Sequence, residues 1–302
     1  MGSEWVALIA INFLVVLSLW IPIYSGVISL GLAGFMVAGG LVSGYLSIQG
    51  MPLVVCILAG TASGAVLGLG PALLALRVKA MYLAIATLAF AELTLVGVRN
   101  LEVVGGVQGL SGFEPISETI LIVLAAVALI GATIFFMSRR ARVCEASAQD
   151  PVAAASCGIS VAKYQIVMTV LGAAVSGLAG ALYAHYYGYV GPSSFGFPTV
   201  VRSLIFLIVG GMTPIGAALG ATVFTILPQY LDFLEGWMDA VYAAVVLIIL
   251  VFLPQGLISK RRLSTFLWRP IRVTPEAPES DLSPHSRREE PADVRAEVRE
   301  SR

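Results

Sequence analysis

Few side chains in this sequence could do chemistry, and most of them stand alone in apolar surroundings. Glu92 lies in Ala89-Phe90-Ala91-Glu92-Leu93, inside a long apolar stretch. A charge at mid-membrane depth costs about 2.5–3.5 kcal/mol on insertion scales, so Glu92 is expected to face the interior of a bundle. Two roles fit it: a polar contact on a solute path, or a structural carboxylate near the outer edge, paired with Arg99 or Arg202. Arg99 is about two helical turns away. Arg202 reads as a side chain snorkelling to headgroups. His185, in Tyr183-Ala184-His185-Tyr186-Tyr187, reads as part of an aromatic belt, a proton relay being the alternative. The only other histidine is His285, outside every apolar stretch. Cys56, Cys144 and Cys157 have no neighbouring His. Zinc needs about four ligands at short spacings, so no metal site is expected. The loop Val104-Gly105-Gly106-Val107-Gln108-Gly109-Leu110-Ser111-Gly112 is glycine-rich but lacks Lys. It is not a phosphate cradle, and no G-x-x-x-x-G-K-[ST] occurs anywhere. Gly105, Gly106 and Gly109 are candidates for contact with a partner, and a flexible connector is the alternative. No Ser–His–Asp, H-E-x-x-H or C-x-x-C pattern appears, so the chain is not expected to be an enzyme.

The elements that must position these residues are membrane helices. Of 302 residues, 58% are hydrophobic and 12% charged, against about 25% charged in soluble domains. The net charge is zero, yet the charges are segregated: residues 5–254 hold few, and residues 260–302 are dense in Arg and Glu. That tail is balanced in sign, so it is no nucleic-acid arm. Met1-Gly2-Ser3-Glu4 lacks a basic n-region, and the first apolar run is expected to be a retained span. A spanning helix needs about 20 apolar residues. Candidate spans are 5–23, 26–47, 52–76, 81–98, 118–138, 164–187, 199–231 and 238–254. Gly210-Gly211 and Pro214 interrupt the 199–231 stretch, which reads as two helices or a broken, re-entrant pair. The fold class is therefore all-α, a polytopic membrane helix bundle with about eight or nine hydrophobic segments.

Basic residues set the orientation. Arg77 with Lys79, then Arg139, Arg140, Arg142 and Lys163, then Lys260, Arg261 and Arg262, fall on one side, the cytoplasm. Glu4, Glu102, Glu114, Glu118, Asp232, Glu235 and Asp239 fall outside. The N-terminus is then out and the C-terminus in. Residues 1–258 form the membrane domain, and residues 259–302 a cytosolic tail too polar to bury a core of its own.

Between two spans, residues 139–163 make a cytosolic segment containing Ala146-Ser147-Ala148-Gln149-Asp150-Pro151-Val152-Ala153-Ala154-Ala155. A short helix held in that way can pass force from a soluble engine to a membrane channel, and this chain carries no engine. Small residues recur at helical spacing: Gly60, Gly64 and Gly68; Gly40 and Gly44; Ser176 and Gly180; Gly216 and Gly220. They allow close helix approach. Gly31-Leu32-Ala33-Gly34 echoes Gly177-Leu178-Ala179-Gly180, and transporters are often built from repeated halves.

Several stretches, taken in order, resemble the permease subunits of branched-chain amino acid ABC importers, in particular the second of the two paired permeases. They are Ile28-Ser29-Leu30-Gly31-Leu32-Ala33-Gly34-Phe35, the run from Leu76-Arg77-Val78-Lys79 through Ala91-Glu92, Gly105-Gly106 with Gly109-Leu110-Ser111-Gly112, Gly177 through Ala184, Val209-Gly210-Gly211, and Leu253-Pro254-Gln255-Gly256-Leu257. The resemblance implies a multi-pass chain of the cell inner membrane. Its partners would be a second permease subunit, two cytosolic ATPase subunits and a periplasmic binding protein. ATP and Mg would sit on the ATPases, and this chain would bind no cofactor. Gln149, Asp150, Pro151, Val152, Ala153, Ala154, Ala155 and Gly158 would form the coupling helix. Glu92, Gly31, Gly34, Gly210 and Gly211 would belong to the translocation path, and Gly105, Gly106 and Gly109 to a contact outside. Departures include Leu32, where the family often has His, and Met212-Thr213-Pro214-Ile215, where further glycines and a Trp are common. They leave branched-chain amino acids, urea, amides and aromatic acids open as substrates. An ion-coupled secondary transporter is the alternative. That class needs an intramembrane relay of ionisable groups, and Glu92 is nearly alone.

Overall fold

A computed structural model describes residues 2–78 and 80–230. Lys79, Asp232, Glu235, Asp239, the predicted span 238–254, the basic cluster at 260–262 and the tail 259–302 lie outside the described residues. Long apolar runs give α1 (Gly2–Tyr24), α2 (Leu32–Ile48), α3 (Leu53–Ala75), α4 (Ala80–Arg99) and α5 (Glu118–Met137), with Pro22 inside α1 and Pro71 inside α3. The polar segment gives α6 (Arg139–Gln149) and α7 (Pro151–Ser156). Then follow α8 (Val161–Tyr187), α9 (Phe197–Gly210) and α10 (Pro214–Tyr230). A two-residue antiparallel pair joins β1 (Leu110–Ser111) to β2 (Tyr189–Val190), with Leu110 opposite Val190.

Helices α1, α3, α4, α5 and α8 are long and apolar enough to cross a membrane, and α2 is shorter. Helices α9 and α10 meet at 120°, where Gly211 takes a positive φ of 105°. The interrupted 199–231 stretch is thus a sharply bent helix pair. One expectation changes. Residues 26–47 read as a single span, but the helix begins only at Leu32. Gly26 turns the chain with φ 81°, and its missing side chain lets it sit against Ala148 of α6. Two amides of the unwound backbone that follows have partners. The Val27 amide donates to the Pro22 carbonyl at 3.1 Å, and the Leu30 amide donates to Thr87 Oγ1 at 2.9 Å.

Helix α8 is the centre of the bundle, packed on α1, α2 and α3. Small residues make this possible, since a Cβ added at Gly39 would strike the Gly177 backbone, and one at Gly180 the Met36 carbonyl. A Cβ at Gly60 would lie 2.6 Å from the Gly39 carbonyl, and one at Gly64 2.6 Å from the Ala173 carbonyl. Ser176 Oγ adds a bond across the contact to the Leu32 carbonyl at 2.9 Å. With little hydrophobic drive between helices in lipid, such close approach is a main source of association. Aromatic rings fill the α1–α5 contact, where Trp20 and Tyr24 lie 5.1 Å apart with Phe136 against both. Phe206 stacks on Phe224 at 5.4 Å between α9 and α10. The bundle is unevenly covered: the apolar window of α1 is 67% buried, those of α4 and α5 only 22% and 11%.

Candidate functional site

At one end of the bundle the polar segment folds into a hook. Ser138 closes α5 and caps α6, its Oγ accepting from the Ala141 amide at 3.3 Å. Ala141, Cys144 and Ser147 turn a narrow stripe of α6 inward. Tyr24 donates to Glu145 at 3.5 Å, tying α6 to the end of α1. Burial pushes the Cys144 thiol up to about 11. Asp150 then starts α7: its Oδ1 accepts from the amides of Val152 and Ala153, both at 3.0 Å. Pro151 takes the first helical position, where its missing N–H is not needed. Gly158, at φ 78°, ends the turn. Gln149, Asp150, Pro151, Val152, Ala153 and Ala155 are exposed, while Ala154 is buried. Val152 is 77% exposed, an apolar knob at the tip. The hook also touches the α1–α2 turn through Ala148 and Gly26, so a push on it would reach the unwound backbone at 25–31.

Glu92 does not face the interior of this chain. Leu83, Thr87, Ala91, Leu95 and Val98 form the buried stripe of α4, which packs on α2. Glu92 lies on the other side, exposed with Ile85, Ala89 and Val96. Among the described residues it makes no hydrogen bond or ion pair, with Arg99, Arg202 or any other group. Gly31 and Gly34 sit at the α2–α4 contact. A Cβ at Gly34 would lie 3.0 Å from the Ala91 Cα, and one at Gly31 3.5 Å from the Thr87 carbonyl. Gly210 lies elsewhere, its own contact being with Gly216 and Gly220 at the α9–α10 bend. These residues are therefore divided between two close approaches. A cleft of about 10 Å³ lies between α1, α2 and α8, lined by Ser18, Ser29, Thr169 and Ser176 among others. That is about the space of one water, not of a solute.

At the opposite end, the glycine-rich loop is tightly built. Gly105, Gly106 and Gly109 all have positive φ, at 79°, 55° and 71°. A Cβ at Gly105 would strike the Gly109 carbonyl, and one at Gly109 the Val190 carbonyl. His185 anchors the following segment and is fully buried rather than a belt residue. Its Nδ1 lies 2.7 Å from the Glu114 carbonyl and its Nε2 2.9 Å from Ser43 Oγ. A carbonyl can only accept, so Nδ1 donates to it, and Nε2 is left to pair with the Ser43 hydroxyl. Ser47 Oγ accepts from the Glu114 amide at 3.1 Å. Sequence reasoning missed this anchor. The available signal was the register Gly177, Ala181, His185, spaced by four residues on one helix face.

A family model described as the permease component of the branched-chain amino acid transport system matches residues 2–253. The high-affinity branched-chain amino acid transport system permease protein LivM of Salmonella typhimurium is 27% identical over 281 residues, covering 79% of this chain and 65% of the relative. LivM of Escherichia coli K12 matches with the same figures. The permease protein LivH of Escherichia coli K12 is 27% identical over 164 residues, 52% of either chain. This chain thus spans a little under two thirds of the LivM relatives' own length. No solved structure gives a significant match.

Proposed function

Given that this chain belongs to the permease-component family of branched-chain amino acid transport systems, we propose that it is a translocation subunit of an ABC importer. It would work beside a second permease, with two cytosolic ATPase subunits and a periplasmic binding protein. The substrate class is branched-chain or related small amino acids, which agrees with the named system of its relatives. In this reading ATP and Mg belong to the ATPases, and this chain supplies binding surfaces and a moving path. The observation that carries the proposal is the exposed hook of α6 and α7, held between two spans at the basic end of an apolar bundle. In an importer of this kind the engine is a separate subunit, and the hook is a surface for one. Gln149, Asp150, Pro151, Val152, Ala153, Ala155 and Gly158 would meet an ATPase, with Ala154 beneath them as support. ATP-driven closure of the ATPases would move the hook, and through Gly26 the unwound segment before α2. Glu92, Gly31, Gly34, Gly210 and Gly211 are the residues of this chain proposed for the path. Gly105, Gly106 and Gly109, held in a compact outer loop, would meet the binding protein. The N-terminus would be outside and the C-terminus in the cytosol, in a cell inner membrane.

The ion-coupled alternative requires a relay. His185 is committed to Ser43 and the Glu114 carbonyl, and Glu92 stands apart on the α4 surface, so the two do not make one. The test is purification in mild detergent followed by mass spectrometry, then uptake of labelled amino acids into proteoliposomes. Co-purified P-loop ATPases and ATP-dependent uptake are expected. Uptake by the chain alone, driven by an ion gradient, would overturn the importer reading.

A further inference from the structure

We propose that the α4 face carrying Glu92, with Ile85, Ala89 and Val96, is the seam against a second, non-identical permease subunit. The inference rests on the importer-permease reading and adds to it which surface meets the partner. Helices α3, α4 and α5 all expose long apolar faces, and α4 differs from α5 in one respect. Between Glu118 and Met137, α5 carries no charge at all, as a lipid-facing helix should. Helix α4 carries Glu92 about 10 Å inside the level of Arg99. The carboxylate is exposed and has no hydrogen-bond or ion-pair partner among the described residues. Ionisable residues inside spans almost always face protein or a water-filled cavity. The buried side of α4 is already filled by its packing on α2, so the cover for Glu92 comes from beyond the described residues, and a second chain would supply it.

Charge decides which chain. In a two-fold pair of identical subunits, residues near the axis face their own copies. Two Glu92 carboxylates brought together in a low dielectric would repel. A different subunit can offer a complement at that depth: an Arg or Lys, or a hydroxyl or amide donor. The small exposed neighbour Ala89, one turn from Glu92, also permits close packing. The occupant is thus a second polytopic permease presenting a cation or hydrogen-bond donor to Glu92.

The test places a photo-crosslinking amino acid at Ile85, Ala89 or Val96 of the full chain, with Val127 and Ile130 on α5 as controls, in membranes of cells making the whole transporter. Adducts are identified by mass spectrometry. Capture of a different polytopic permease from the α4 positions, and lipid adducts only from α5, is the expected result. Capture from α5 instead, adducts within one chain to residues 231–302, or adducts between two copies of this chain, overturns the seam while the importer reading stands. If no permease is captured from any position and none co-purifies, both fall. A second arm compares Glu92→Gln and Glu92→Leu. At a seam, Leu should lower recovery of the partner at least tenfold and Gln by less, with the yield of the chain itself unchanged. If Glu92→Leu leaves partner recovery intact, Glu92 faces lipid and the proposal fails.

Discussion

At the scale of single residues, the polar groups of this chain are separated by the work their surroundings allow. His185 is the most constrained. Both ring nitrogens are used, one by the Glu114 carbonyl and one by Ser43, so the side chain fastens the outer loop to α2 and α8 together. His185→Ala would leave two groups without partners, at about 1–3 kcal/mol for each that stays buried. The expected outcome is a clearly lower melting temperature in detergent, with partial recovery in His185→Gln; an unchanged melting curve would show that the loop is held by its other contacts. Cys144 gives a chemical check. Burial pushes its thiol up to about 11, and only the thiolate is reactive. At pH 8 a maleimide should therefore label exposed Cys157 and spare Cys144, with Cys144 labelling appearing only as pH rises towards 11 or on unfolding. Equal labelling of both at pH 8 would mean that α6 opens away from the bundle.

At the scale of elements, α7 is short enough that its stability and its exposure can be tested apart. Six residues cannot hold a helix unaided. The Asp150 cap and the burial of Ala154 do so, and Asp150→Ala should cost about 0.5–2 kcal/mol locally. Val152 and Ala153 face water, so Val152→Asp or Ala153→Asp should leave abundance and melting unchanged while reducing ATP-driven uptake at least tenfold. Normal uptake in both would remove α7 from the coupling route. Ala154→Trp is a different experiment, because that side chain supports the hook and would disturb its packing. The sequence made much of this visible: Asp150-Pro151 announces a helix start, and apolar length locates α3, α4, α5 and α8 to within a few residues. It misplaced the start of α2, because residues 26–47 are apolar throughout. The turn at Gly26 against Ala148 and the Leu30–Thr87 bond, both between positions distant in sequence, accompany the unwound stretch there. The side on which Glu92 lies was equally hidden. A span that is apolar all round has no stripe to say which face is inside, so its orientation is decided by packing on α2.

At the scale of the whole molecule, the two ends of the bundle are distinguished by contacts as well as by charge. Tyr186 donates to the Glu4 carbonyl at 3.4 Å, which brings the start of α1 to the end of α8, where the β1–β2 pair and the glycine loop also lie. Gly26, Tyr24 and α6 gather at the other end. Helices α3 and α8 run antiparallel, with Gly60 against Ala181 and Gly68 against Ala173, so the α3 end that leads to Arg77 falls with the hook. The acidic residues Glu4, Glu102, Glu114 and Glu118 thus share one end, and Arg77, Arg139, Arg140 and Arg142 the other. Charge bias and packing lead to the same grouping. Since cytoplasmic loops carry the Lys and Arg excess, the hook should be cytosolic. Cys157, exposed just beyond α7, is a built-in reporter. A membrane-impermeant maleimide at pH 8 should leave it unlabelled in intact spheroplasts and label it in inside-out vesicles, with Cys56 and Cys144 protected by burial in both. A cysteine introduced at Val107 in the outer loop, 71% exposed, should show the reverse. If Cys157 labels from outside and the Val107 position from inside, the whole bundle is inverted, and an ATPase could not reach the hook at all.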